Sequence, residues 1–214
     1  MADLLLNRWP GFSPRLRGQA AEVLFSRPEW VSKLLDQAAA GTVATSDVDP
    51  SRWQLLTAHA DESIRRRALA LVGKSQTSKR GEVVTAYRDS LTKAGDVARG
   101  KEHFKKVCAA CHQLEGIGHP TGPNLAAMKN RGPEAILLNV LDPNREVNPQ
   151  YLNYSVVTND GRTLSGMIAA ETATSVTLKR ADNASDTVLR IDIEQLKSTG
   201  LSLMPEGMEK QIDS

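Results

Sequence analysis

The spacing of apolar residues changes once along the chain, and that change limits what it can fold into. Up to about residue 141 they recur every three or four positions, and from residue 153 they recur every second position. The first period is that of a helix with one buried face, the second that of a strand. Ser13-Pro14, Pro28-Glu29, Asp49-Pro50 and Asp61 supply the caps or first-turn prolines that start helices. Behind them Leu16, Ala20, Val23 and Leu24, then Val31, Leu34, Leu35 and Ala38, then Trp53, Leu56 and Ala60, then Ile64, Ala68, Leu71 and Val72 fall on single faces. Gly41 and Gly73 read as stops. Further helices are expected over residues 79–93, 96–108 and 133–141. Strands are expected over 153–158, 163–169, 176–178 and 187–191, with turns at Asn159-Asp160-Gly161 and Ala181-Asp182-Asn183. The predicted fold class is mainly α. Residues 1–94 form a helical region that resembles HEAT repeats or, equally well, a small irregular bundle, and residues 95–214 form a second domain with an antiparallel β-meander inserted at about 151–191. Trp9, Trp30 and Trp53 all fall in the first region and read as core anchors.

Composition narrows the function. The formal net charge of +2 over 214 residues gives no polybasic face, so nucleic acid is not an expected partner. No apolar run approaches the roughly 18 residues that cross a bilayer. The first eight residues lack the basic start, apolar core and cleavage site of an export signal.

The chain has two cysteines, both in Cys108-Ala109-Ala110-Cys111-His112, so a disulfide framework is excluded. Zinc would need two more closely spaced Cys or His ligands, and His59, His103 and His119 offer no such pair. A redox dithiol of the thioredoxin kind follows a strand, whereas a helix is expected here. Covalent haem c remains: two thiols add across two porphyrin vinyl groups, and the next residue, His112, offers an imidazole to the iron. The other candidate ligands are His119, which also reads as a loop residue, and the methionines. Met128 and Met167 sit in helix or strand patterns and read as packing residues. No catalytic carboxylate pair, phosphate loop or nucleophile triad stands out.

The residues around this motif resemble the small class I cytochromes c. Gly100, Phe104 and Cys108 recur at four-residue steps, and Gly122-Pro123-Asn124-Leu125 follows His112 by about ten residues. In that family the carbonyl of the matching proline accepts a hydrogen bond from the axial histidine, and the resemblance assigns this role to Pro123. A late methionine before a proline supplies the sixth ligand there, which points to Met204, with Met208 and His119 as rivals. Gly122, Leu125 and Leu203 are then expected to line the haem. The resemblance thus implies a class I-like cytochrome c fold for residues 95–214.

From about residue 80 onward the chain also resembles the haem-binding domain at the C-terminus of large predicted dehydrogenases of the planctomycete and verrucomicrobial type. The shared stretches include Gly95-Asp96-Val97-Ala98-Arg99-Gly100-Lys101, Leu141-Asp142-Pro143-Asn144-Arg145-Glu146-Val147, Thr158-Asn159-Asp160-Gly161-Arg162 and the segment 202–207. That resemblance implies an electron-transfer module, not itself an enzyme, holding one covalent haem c with His112 and Met204 on the iron. Its partners would be an upstream dehydrogenase domain and a downstream electron acceptor. Because haem attachment of this kind occurs outside the cytoplasm, a periplasmic or otherwise exported location follows, and the chain reads as a piece of a longer exported protein. A haem enzyme or gas sensor with an open or labile sixth position is the alternative. Residues 1–95 are a candidate protein-docking module.

Overall fold

In the computed structural model of the protein, residues 1–76 and 80–212 are described, and for residues 74–76 the backbone alone. The first residues form α1 (Ala2–Arg8) without a side-chain cap, with Ala2 and Leu6 buried one turn apart. The expected helices follow as α2 (Pro14–Leu24), α3 (Pro28–Ala39), α4 (Pro50–Thr57) and α5 (Glu62–Gln76). The starts of α2, α4 and α5 carry side-chain caps, whereas α3 has a proline in its first turn and no side-chain cap. Ser13 Oγ accepts from Leu16 N–H at 3.3 Å, Asp49 Oδ1 from Ser51 N–H at 2.8 Å, and Asp61 Oδ1 from Ser63 N–H at 2.8 Å, each worth about 1 kcal/mol. Gly41 adopts φ +78° just beyond α3, the left-handed stop that glycine accepts without penalty. The backbone of α5 runs through Gly73 to Gln76.

These helices do not repeat. They are 7, 11, 12, 8 and 15 residues long, α1 and α5 both pack on α3, and their inward residues join one cluster from Ala2 to Ala68. The HEAT-like expectation is corrected accordingly: the region is an irregular helical cluster around one core. Trp9 is fully buried, Trp53 nearly so, and Trp30 packs on the cluster's edge. Within the cluster Arg17 and Asp47 form an ion pair with both side chains buried. Asp47 also accepts from Trp9 Nε1–H at 3.2 Å, and the Arg17 guanidinium lies 5.9 Å from the Trp9 ring centroid. Arg17 Nη2 also donates to Trp9 O and Pro10 O at 3.4 Å, while its Nε has no partner among the described residues; a buried charge pair relies on such added bonds.

Further along come α6 (Gly81–Tyr87), within the expected 79–93 helix, whose first residue lies outside the described ones, and α7 (Val97–His103). A two-residue hairpin of β1 (Gln113–Leu114) and β2 (Ile117–Gly118) precedes α8 (Gly132–Leu141). The chain then enters β3 (Leu152–Thr158), β4 (Thr163–Glu171), β5 (Ser175–Lys179), β6 (Ser185–Leu189) and β7 (Ile193–Ser202). These five form one antiparallel sheet in the order β6-β5-β4-β3-β7. Leu152, Tyr154 and Val156 point inward at period two and join Val176, Leu178 and Val188 in a second buried cluster.

The mainly α, class I-like expectation is overturned by this sheet. Helix takes about 53% and strand 19% of the structure. The strands are not an inserted meander: β7 lies beyond the expected boundary at about residue 191, yet it pairs with β3 over ten residues. Its inward positions include Ser198 and Gly200, and its register to β3 shifts twice, so no apolar alternation marks it. The small residues face the helical cluster. Ser46 Oγ donates to Gly200 O at 2.9 Å, Ser198 Oγ to Asp47 Oδ1 at 3.4 Å, and Tyr154 Oη to Phe12 O at 3.2 Å.

Two compact units result, interleaved in sequence. The first gathers the chain through α5 with Glu146–Leu178 and Thr187–Leu203. The second gathers α6 through Arg145, Lys179–Asp186 and the segment from Met204. In the second unit α6 and the short helical turn Met208–Gln211 pack on α8. Arg80 pairs with Glu209 at 2.6 Å, and Asn144 Nδ2 donates to Glu206 Oε1 at 2.7 Å, fixing the segment that carries Met204.

Candidate functional site

The site lies in the second unit and starts from Asp96, whose carboxylate caps α7 by accepting from Arg99 N–H at 3.0 Å. Past His103 the backbone widens into a π turn, Phe104–Cys108, closed by Ala109 N–H to Phe104 O at 2.9 Å. The extra residue in that turn takes Cys108 off the four-residue step shared by Gly100 and Phe104. Such turns concentrate at functional sites because they re-aim the side chains that follow. His112 N–H then returns to Cys108 O at 2.9 Å, so the five motif residues make one tight turn.

The next three carbonyls of that turn are each met by an amide. Ala109 O accepts from His119 at 2.9 Å, Ala110 O from Asp182 at 2.6 Å, and Cys111 O from Thr121 at 3.1 Å and Gly122 at 2.6 Å. Two glycines permit this closeness. A Cβ on Gly118, at φ +92°, would lie 2.1 Å from His112 O and 2.9 Å from Ala109 O. A Cβ on Gly122 would lie 2.6 Å from His112 Cε1 and 3.1 Å from Nε2, so the ring rests against bare backbone.

His112 Nδ1 lies 2.9 Å from Pro123 O. A carbonyl only accepts, so Nδ1 carries the hydrogen and Nε2 presents its lone pair. Burial raises both cysteine thiols above their ordinary range, helped at Cys108 by Cys111 and at Cys111 by the Asp182 carboxylate. They are therefore protonated near neutrality, unlike the acidic thiols of redox dithiols. Both are free, and among the described residues no group of three or more His, Cys, Asp or Glu side chains gathers to hold a metal.

Leu125, half-buried, opens a helical turn that Asn124 caps, and Met204 is half-buried while Met208 is buried. Leu203 belongs to the first unit, where its N–H donates to Tyr151 O at 2.9 Å, whereas the other seven expected site residues lie in the second. Phe104, Val107, Leu114 and Met128 are likewise half-buried. The second unit thus presents two thiols, one oriented imidazole, a glycine cradle and apolar side chains able to cover a flat macrocycle. That donor set fits haem c.

Residues 97–182 match the family model described as Cytochrome c. They are a cytochrome c domain. The chain is 54% identical over 39 residues to a cytochrome c of Chlamydomonas reinhardtii, covering 18% of this chain and 35% of that protein. It is 46% identical over 39 residues to cytochromes c of Nigella damascena and Guizotia abyssinica, with the same coverage. The chain therefore spans about a third of the length of the curated relatives it matches. A cytochrome c domain implies covalently bound haem c and haem-based electron transfer. Sequence reasoning missed Gly118, Thr121, Lys179 and Asp182. Gly118 alone left a signal, as the second glycine of Gly116-Ile117-Gly118; the others act through bonds to residues about 60 or more positions away.

Proposed function

We propose that this chain is an electron-transfer module holding one haem c on Cys108 and Cys111, with His112 and Met204 as the axial ligands. The observation that carries the reading is the 2.9 Å bond between His112 Nδ1 and Pro123 O, made over the bare backbone of Gly122. It leaves Nε2 as a neutral, preset donor. When bound, the haem supplies a one-electron couple whose potential its axial ligands set. The chain's part is to hold the group, orient the imidazole, raise its basicity through Pro123 O and keep water away with half-buried apolar side chains. Met204 is favoured over Met208 because Met208 is buried in its own unit's packing, and over His119 because the His119 side chain is exposed and its backbone already ties the motif turn.

By resemblance to the haem-binding domains of large dehydrogenases, the electron donor is a dehydrogenase and the acceptor a soluble or membrane carrier. The cytochrome c domain also supports an exported or membrane-associated location. The ferric visible spectrum tests the ligation. Methionine on low-spin ferric haem gives a weak far-red charge-transfer band, and Met204→His should abolish it and lower the reduction potential. An unchanged potential in Met204→His excludes Met204. A high-spin ferric spectrum with fast carbon monoxide binding after reduction would instead favour an open-site haem enzyme or gas sensor.

A further inference from the structure

We propose that residues Lys179–Asp186 act as a clamp that positions the His112 imidazole, an inference that rests on His112 being the axial ligand. Three hydrogen bonds reach from this segment to both arms of the turn holding the ring. Asp182 N–H donates to Ala110 O at 2.6 Å, inside the motif. Thr121 Oγ1 donates to Arg180 O at 3.0 Å, and Lys179 Nζ to Pro120 O at 2.8 Å, on the arm that leads into Gly122 and Pro123. Thr121 is 1% exposed, so its hydroxyl has no easy exchange for water, and its bond to Arg180 O is costly to lose. The reach is obtained with two consecutive non-glycine residues in the left-handed region, Asp182 at φ +56° and Asn183 at φ +57°. Holding such residues there costs energy and is kept where the surroundings require it.

The geometry has one consequence for the ring. The position of Pro123 O fixes how strongly Nδ1–H is held, and that bond sets the donor strength of Nε2. The segment fixes the arm that ends in Pro123, so it governs the potential and the ring's freedom without touching haem. Residues 179–186 are thus positioning residues, not ligands.

Thr121→Val keeps the shape and removes the donor to Arg180 O, Thr121→Ser keeps the donor, and Lys179→Met removes the donor to Pro120 O at a half-buried site. Each is prepared as haem-loaded full chain, with loading read from intact mass. In Thr121→Val the His112 Nδ1–H, followed by NMR, should exchange at least about 10-fold faster, and the potential should rise because a weaker imidazole donor stabilises ferric iron less. Thr121→Ser should restore both. Lys179→Met should speed the exchange; its lost charge makes its potential uninformative. Exchange at wild-type rates in haem-loaded Lys179→Met and Thr121→Val overturns the clamp, even if stability falls. Should Thr121→Val fail to fold, Lys179→Met alone decides. Wild-type protein without covalent haem would overturn the haem reading first, which distinguishes the two failures.

Discussion

Gly122 and Gly100 are both glycines of the cytochrome c domain, and a methyl group should affect them in opposite ways. At Gly122 the added carbon would meet Cε1 of His112 at 2.6 Å, closer than any real Cβ contact, and the neighbour is the ring the site depends on. Gly122→Ala should therefore displace the imidazole from Pro123 O and give a mixed-spin ferric spectrum while leaving the thioethers intact; a wild-type spectrum would refute the cradle. At Gly100 a Cβ meets nothing within 4 Å, on an exposed position inside α7. Gly100→Ala should stabilise the protein by about 0.5–1 kcal/mol through the lost backbone entropy of glycine in a helix, seen as a higher urea midpoint. The core of the site was readable at this scale because Cys108, Cys111, His112 and Pro123 lie within one short stretch, where spacing dictates contact. Thr121 and Asp182 were not readable, because their bonds join segments that no local pattern relates.

Among the elements, β3 shows how a strand's alternation meets a polar requirement. Tyr154 is fully buried at an inward position, and burial pushes its phenol up to about 12, with the Asp47 charge adding to the effect and the Arg17 charge opposing it. In the unfolded chain the same group ionises near its ordinary value of about 10. The native state therefore keeps a proton that the unfolded state loses between these two values. The contribution is intact below pH 10 and is lost as pH climbs towards 12, amounting to about 2–3 kcal/mol. Tyr154→Phe should flatten the fall in stability across that window, measured by urea unfolding at several pH values; an identical slope would place the titration elsewhere. The period-two signal found β3, β4, β5 and β6 because each buries apolar residues on one face. It missed β7 because Ser198 and Gly200 meet the helical cluster with small polar surfaces. It also missed the π turn, since a helix that widens by one residue keeps helix-like spacing on either side.

At the scale of the whole molecule, the two units differ in what holds them. Both hydrophobic clusters of buried residues lie in the first unit. Full burial of Leu24, Leu34, Leu35, Leu152 or Leu178 contributes roughly 1.5–3 kcal/mol per side chain, so the first unit has an ample apolar core of its own. In the second unit the buried large apolar side chains, among the described residues, are Leu141 and Met208. Its remaining order comes from hydrogen bonds, from the largely buried Arg80–Glu209 pair, and from exposed pairs such as Arg88–Glu134 and Lys101–Glu115, which contribute little. Burial against haem should then stabilise the second unit far more than the first. Hydrogen exchange on protein produced without haem, compared with the loaded protein, reads this directly. Amides of α3, β3 and β7 should be equally protected in both forms. Those of α7 and α8 should lose at least about 10-fold protection without haem, because local opening there leaves little apolar surface to expose. Equal protection of α8 in the two forms would mean that the second unit is held by its own packing, and that haem is a passenger on a finished fold.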